Sequence, residues 1–215
     1  MRRGEFDRRN DNISAFSSRQ AQAYSNLLPT YLSRFDMLQS IHAVVLDRVL
    51  DGLDRNATVL EVGCGAGSSL ELISNRGFVA EGIDVSPDMA NAARNRTRCP
   101  VICADFLSHE IDKKCDLVFA QAFVHLFPKT MALRVIARLQ SLALKRIFFS
   151  TSLADSPSEG WEEKDGVVRY RSRYNTAEFM NLVELCVSGM PWRATHFDVP
   201  DPLGKNWLDV ILYHD

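Results

Sequence analysis

Residues 59–70, VLEVGCGAGSSL, set three alternating glycines, Gly63, Gly65 and Gly67, between an apolar run that reads as a strand and a helical pattern. A glycine-rich turn at such a junction presents free backbone amides, and the positive end of the helix, to whatever lies beyond the strand tip. This is the pattern of a nucleotide-type pocket. A dinucleotide fingerprint would carry its third glycine at position 68, where Ser68 stands. No Gly-Lys-Ser/Thr follows either, as a phosphate-cradling loop requires.

Outward from this stretch, β-rich and helical runs alternate. Strands are predicted over 58–62, 79–84, 101–104, 116–120 and 146–150, and helices over 66–75, 87–96 and 130–142. Ser86-Pro87-Asp88 is a helix start: serine caps orphan amides, and proline at the first helical position already has a helical φ. Strict alternation implies right-handed crossovers and a mostly parallel sheet covered on both faces. Two final β runs, 192–199 and 207–213, flank a turn-rich PDPLGKN and suit an antiparallel hairpin, with a helix over 176–187 before them. The fold class is therefore α/β: a doubly wound, Rossmann-like, mostly parallel seven-stranded sheet with an antiparallel C-terminal hairpin and N-terminal helical additions.

Before the sheet, residues 1 to about 28 are polar and charge-mixed, a mobile arm or a weakly amphipathic helix. Leu32, Phe35, Leu38, Ile41, Val45 and Val49 then recur at helical spacing, predicting a helix from a Thr30 cap to Gly52. After the fifth strand, residues 151–175 are too long and polar for an ordinary connection and read as a lid or binding loop. One domain over 1–215 is expected: a capping arm and helix (1–52), a cofactor half (53–150), and a substrate loop, helix and hairpin (151–215).

With 215 residues, 46% of them hydrophobic, the chain can bury one sizeable core. A formal net charge of −2 disfavours a broad phosphate-binding surface, so no nucleic acid partner is expected. No window approaches the roughly 20 apolar residues of a membrane span, which predicts a soluble, cytoplasmic protein, monomer or homodimer. Five cysteines with no Cys-x-x-Cys spacing argue against a disulfide framework and a zinc knuckle, and most of them read as small buried hydrophobes. No metal site is expected.

Asp84 closes the second strand, in EGIDVSPDM, where a carboxylate can accept both hydroxyls of a ribose. Together, VLEVGCGAG, EGIDVSPDMA, ADF and DLVFAQAFVHLF resemble, in order and spacing, the first four motifs of class I S-adenosylmethionine-dependent methyltransferases. The resemblance covers about residues 57–150. It implies S-adenosyl-L-methionine as cofactor and S-adenosyl-L-homocysteine as product, with Gly63, Cys64, Gly65 and Gly67 along the methionyl part and Glu61 ordering their loop. It further implies Asp84 on the ribose, Val85 and Met89 flanking the adenine, Asp105 and Phe106 at its edge, and Gln121 beside the sulfonium.

Methyl transfer from a sulfonium is an in-line displacement that needs alignment in a shielded pocket, and a base only when the acceptor atom must lose a proton. His125 is the candidate base by position and near-neutral intrinsic pKa, with a packing role as the alternative. Tyr24 and Tyr31 belong to a segment that closes over the site in similar enzymes; core packing is equally consistent with them. In VVRYRSRYN, Arg169, Arg171 and Arg173 share one side if the chain is extended, able to hold a substrate anion or to form a solvated charge ladder with neighbouring acids. Trp161 could cover an acceptor or anchor the loop. The expected function is methyl transfer to an oxygen or nitrogen of a small molecule. The alternatives are a non-catalytic S-adenosylmethionine-binding or interaction protein, and a methyltransferase acting on a protein.

Overall fold

The structure, a computed structural model, describes residues 3–199, 201 and 204–214. Seven strands form one sheet in the order β3-β2-β1-β4-β5-β9-β8. They are β1 (Thr58–Val62), β2 (Val79–Asp84), β3 (Val101–Cys103), β4 (Cys115–Ala120), β5 (Ala143–Ser152), β8 (Trp192–Phe197) and β9 (Trp207–His214). The first five run parallel to their neighbours, while β9 lies antiparallel to both β5 and β8. Because β1 sits between β2 and β4, the chain winds to one edge and then the other. A crevice opens beyond the tips of β1 and β4 at that reversal.

Burial on both faces explains why these strands read as continuous apolar runs. Along β4, Leu117 and Phe119 join the core on one face and Val118 and Ala120 the core on the other. Phe119 stacks on Phe148 of β5 with ring centroids 4.7 Å apart. Helices α3 (Ser68–Asn75), α4 (Pro87–Thr97), α5 (Ala132–Leu142) and α6 (Thr176–Val187) complete the layers. Two start on the caps their sequences carry: Ser86 Oγ accepts from Met89 N–H, and Asn175 Oδ1 from Glu178 N–H at 2.8 Å.

Two expectations need correction. Thr30 does not cap a helix: α1 (Arg3–Ser33) continues through it, and the break falls at Arg34, before α2 (Phe35–Val49). The polar N-terminal segment is helical because its buried positions Ser17, Gln20, Ala23 and Leu27 lie on one helical face. Two of those are polar, so hydrophobic periodicity hides the face. Residues 151–175 are not a loop but contain a second, two-stranded antiparallel sheet, β6 (Ser158–Lys164) and β7 (Val167–Arg173). The turn between them is Asp165-Gly166, both at positive φ (55° and 73°), the two-residue geometry that suits hairpin twist. Of the cysteines, Cys64, Cys115 and Cys186 are buried, but Cys103 is exposed.

Parts of the predicted PDPLGKN turn, Pro200, Pro202 and Leu203, lie outside the described residues. No helix among the described residues is long and apolar enough to cross a membrane.

Candidate active site

A cavity of about 470 Å³ occupies the crevice, walled by the glycine loop, the tips of β2 and β4, α1, α2, β7 and the start of β9. The loop is held to the next strand by its own backbone: Gly63 and Cys64 N–H both donate to Ile83 C=O, at 2.8 and 3.2 Å. All three glycines have positive φ, yet they do different things. A Cβ on Gly63 would strike the Phe123 ring at 2.7 Å, whereas one on Gly65 would meet nothing within 4 Å. Gly65 thus leaves the loop open to the cavity. Gly67 does not line it: a Cβ there would run into Thr97 at 2.7 Å and Ala93 at 3.2 Å, so this glycine lets α3 and α4 approach.

Asp84 spans two backbone segments. Its Oδ2 accepts from Gly65 N–H at 2.9 Å and its Oδ1 from Ser86 N–H at 2.8 Å. Burial pushes its pKa up despite those amides. Each oxygen keeps lone-pair capacity for a ligand hydroxyl. Asp105 accepts from Leu107 N–H (2.9 Å) and from Ser17 Oγ of α1 (2.7 Å). Val85, Met89, fully buried, and Phe106, edge-on to Phe123, complete that end of the lining.

Two buried oxygens in the lining have no partner: Glu61 Oε2 and Gln121 Oε1. Burial, opposed by a hydrogen bond from Ser69, raises the Glu61 pKa well above the usual carboxylate range. Gln121 is presented by a strained backbone, since Ala122 after it has φ 53° and donates to Ser150 Oγ at 2.7 Å. Orphaned acceptors at the strand tips and an open glycine face fit a ligand that brings donors, as an adenosyl amino acid does.

These features coincide with sequence likeness to known proteins. Residues 59–143 match the family model described as "Methyltransferase domain". That match takes in about two fifths of the chain, the glycine loop and the strands around it. The 18S rRNA (guanine-N(7))-methyltransferase bud23 of Schizosaccharomyces pombe is 36% identical over 58 residues, 26% of this chain. That stretch spans only 22% of the yeast protein. Among solved structures, a DhpI complex with S-adenosylhomocysteine superposes with TM-score 0.70 at 15% identity, covering 93% of this chain and 97% of DhpI. A Burkholderia thailandensis 1,6-didemethyltoxoflavin-N1-methyltransferase gives TM-score 0.65 at 16% identity, covering 87% of each chain.

On the side of the cavity nearer β7 and β9, His125 is 2% exposed, and its Nδ1 has no partner. Burial first, then the charges of Arg171 and Arg169, hold its pKa well below the usual histidine value. Its ring lies 5.6 Å from that of Trp207. Tyr24 and Tyr31 line the same space with ring centroids 6.2 Å apart, and enclosure raises both phenol pKa values. Arg169 and Arg171 face it from β7 and are buried, not the solvated ladder weighed above. Arg173 and Trp161 do not line the cavity. Arg173 pairs with Glu162, and Trp161 packs on Phe16 and Tyr170 with the Arg19 guanidinium 3.7 Å above its ring. Trp161 therefore anchors α1 to the hairpin.

Sequence reasoning missed several residues here. Gln20 pairs its carboxamide with the free edge of β7: Nε2 donates to Tyr170 C=O (3.2 Å) and Leu126 C=O (3.0 Å), and Oε1 accepts from Tyr170 N–H (2.9 Å). His42 of α2 meets Ser69 Oγ at 2.8 Å and Ser68 Oγ at 3.1 Å, and burial lowers its pKa to about 4. No local signal marks either one. Asp165-Gly166 between two β-forming runs did mark the hairpin.

Proposed function

We propose that this chain is a class I S-adenosylmethionine-dependent methyltransferase that transfers a methyl group to an oxygen or nitrogen of a small molecule. The observation that carries the reading is enclosure. The cavity, within the usual small-molecule range, is roofed by α1, which is tied to both ends of the site through Ser17–Asp105 and Gln20–Tyr170. The formal net charge of −2 supports action without a nucleic acid partner. In this reading residues 53–150 hold the cofactor, and 1–52 with 151–215 enclose the acceptor as one catalytic unit.

Bound S-adenosylmethionine supplies an electrophilic methyl on a cationic sulfur. The chain's part is to bind, align and keep water out. Asp84 takes the ribose hydroxyls, Gly63, Cys64 and Gly65 follow the methionyl chain, and Glu61 orders that loop. Val85, Met89, Asp105 and Phe106 frame the adenine. Gln121 offers its unpaired oxygen where nucleophile and methyl meet. His125, kept neutral by burial and the arginines, accepts a proton from the acceptor through its unpartnered Nδ1. The same cations acidify an acceptor hydroxyl beside them, which compensates for the weak basicity they impose on the histidine.

The test is release of S-adenosylhomocysteine across a panel of phenols, amines and carboxylates, with His125→Gln in parallel. Turnover with a small acceptor, lowered roughly 100-fold in the variant while cofactor affinity stays within twofold, is the expected result. Tight cofactor binding with no turnover on any small acceptor would overturn the reading.

A further inference from the structure

Two guanidinium groups project from one face of β7 into the cavity, on residues about 7 Å apart along the strand. Arg169 is 5% exposed and Arg171 9%. Arg171 donates to Ser152 Oγ at 3.1 Å and stands 3.8 Å from Glu162, whose other oxygen Arg173 holds. Arg169 has no ion pair or hydrogen bond among the described residues, and its Nε is fully enclosed without an acceptor. Lys205 lines the same wall, and no acid within ion-pairing distance neutralises it among the described residues. Three acids of the lining are engaged elsewhere. Asp84 holds two amides, Asp165 lies 3.9 Å from Arg34, and Asp201 accepts from Trp207 Nε1 at 2.5 Å.

A buried guanidinium cannot shed its proton as a histidine does, so leaving it unpaired is costly to the ligand-free fold. Such a group is compensated when the ligand brings the counter-charge. A planar fork of donors matches the oxygens of a carboxylate or phosphonate.

We infer that the methyl acceptor carries an oxyanion, a carboxylate or a phosphate-type group, seated between Arg169 and Arg171 with Lys205 beside it, while its nucleophilic atom faces Gln121 and His125. This rests on the methyltransferase reading for the identity of the reacting partner, but the anion seat can be tested without turnover. Calorimetric titration would use the protein with and without saturating S-adenosylhomocysteine. The probes are acetate, benzoate, methylphosphonate and phenylphosphonate against the neutral acetamide and benzamide.

At least one anion should bind ten times more tightly than its neutral counterpart, and the tighter series identifies carboxylate or phosphonate. Arg169→Met should weaken that binding at least tenfold, leave S-adenosylhomocysteine affinity within twofold, and raise the unfolding midpoint of the ligand-free protein by a few degrees. A structural arginine would lower that midpoint. Equal affinity for anions and amides in the unaltered protein would overturn the inference, whatever the variant does. Anion binding without any affinity for S-adenosylhomocysteine would instead remove the methyltransferase reading and leave the anion seat standing.

Discussion

The two sides of the cavity are built by opposite means. On the cofactor side the polar contacts are local: Gly65 to Asp84 spans 19 residues, Met89 to Ser86 three, Ser86 to Asp84 two. The α1 roof is instead fastened from afar: Ser17 reaches Asp105 at the cofactor end across 88 residues, and on the acceptor side Gln20 reaches Leu126 across 106 and Tyr170 across 150. On the cofactor side Asp84 is held by backbone amides a short way along the chain, whereas the acceptor side buries Arg169 with no acid within ion-pairing distance among the described residues. The carboxylate is held before any ligand arrives, and the guanidinium is completed by what it binds.

Removing the carboxylate that joins two segments of the cofactor side should have the largest effect. Asp84→Ala is expected to lower S-adenosylmethionine affinity by about 100-fold or more, roughly 3 kcal/mol, because a charge-assisted acceptor and the loop it orders are lost together. Isothermal titration checks it; unchanged affinity would mean the local surface is not where the cofactor binds.

Next come the glycines, which separate packing from ligand approach inside one loop. Gly67→Ala should cost about 2–3 kcal/mol of folding stability, since positive φ and contacts with Thr97 and Ala93 act together. Gly65→Ala carries only the φ penalty, about 1 kcal/mol, and its stability loss in urea unfolding should be the smaller. The reverse order would show that the cavity face of the loop is the tighter one.

The acceptor side also holds a carboxylic acid out of its ordinary range. Asp209, 2% exposed, has its pKa raised to about 7, by burial first and then by Asp198. Its folded value exceeds its unfolded one, so the stability its protonated form confers is complete below about pH 4 and is lost as pH rises through about 7. Asp209→Asn should therefore be near neutral at pH 4 and increasingly stabilising up to about pH 7, then level off at a gain on the order of 2 kcal/mol. A flat difference in denaturation midpoints between pH 4 and 8 would contradict it.

The smallest effect is expected at the longest reach. Gln20→Ala removes the carboxamide that closes the edge of β7, at a cost near 1 kcal/mol because water can replace part of what is lost. Amide exchange in α1 should quicken and the acceptor KM rise about fivefold, while cofactor affinity holds. Equal loss on both sides of the cavity would mean that α1 is part of the cofactor surface as well.

Legibility follows the same division. Five parallel strands, the caps at Ser86 and Asn175 and the acid at the tip of β2 were readable because each is settled within a few residues by periodicity or a side chain bonding its own backbone. The roles of the glycines were not separable by spacing, since Gly67 owes its place to α4, which follows it by some 20 positions. A capping N-terminal segment was expected, but the contacts that fasten it escaped notice because Ser17 and Gln20 occupy its buried face, and a polar residue that finds its partner across the fold looks like a solvated one. Likewise Arg169, Arg171 and Arg173 are equivalent in an extended pattern, yet only the first two line the cavity.

The chain's order of residues by itself determined the winding of the sheet and the glycine-turn pocket with its acid, because strand alternation, turn conformation and capping are short-range properties of the backbone. Only the tertiary structure decided which charges are buried, which side chains fasten the roof and where an anion would be welcome. Desolvation and long-range hydrogen bonding depend on what comes to lie opposite a residue, and no local pattern specifies that.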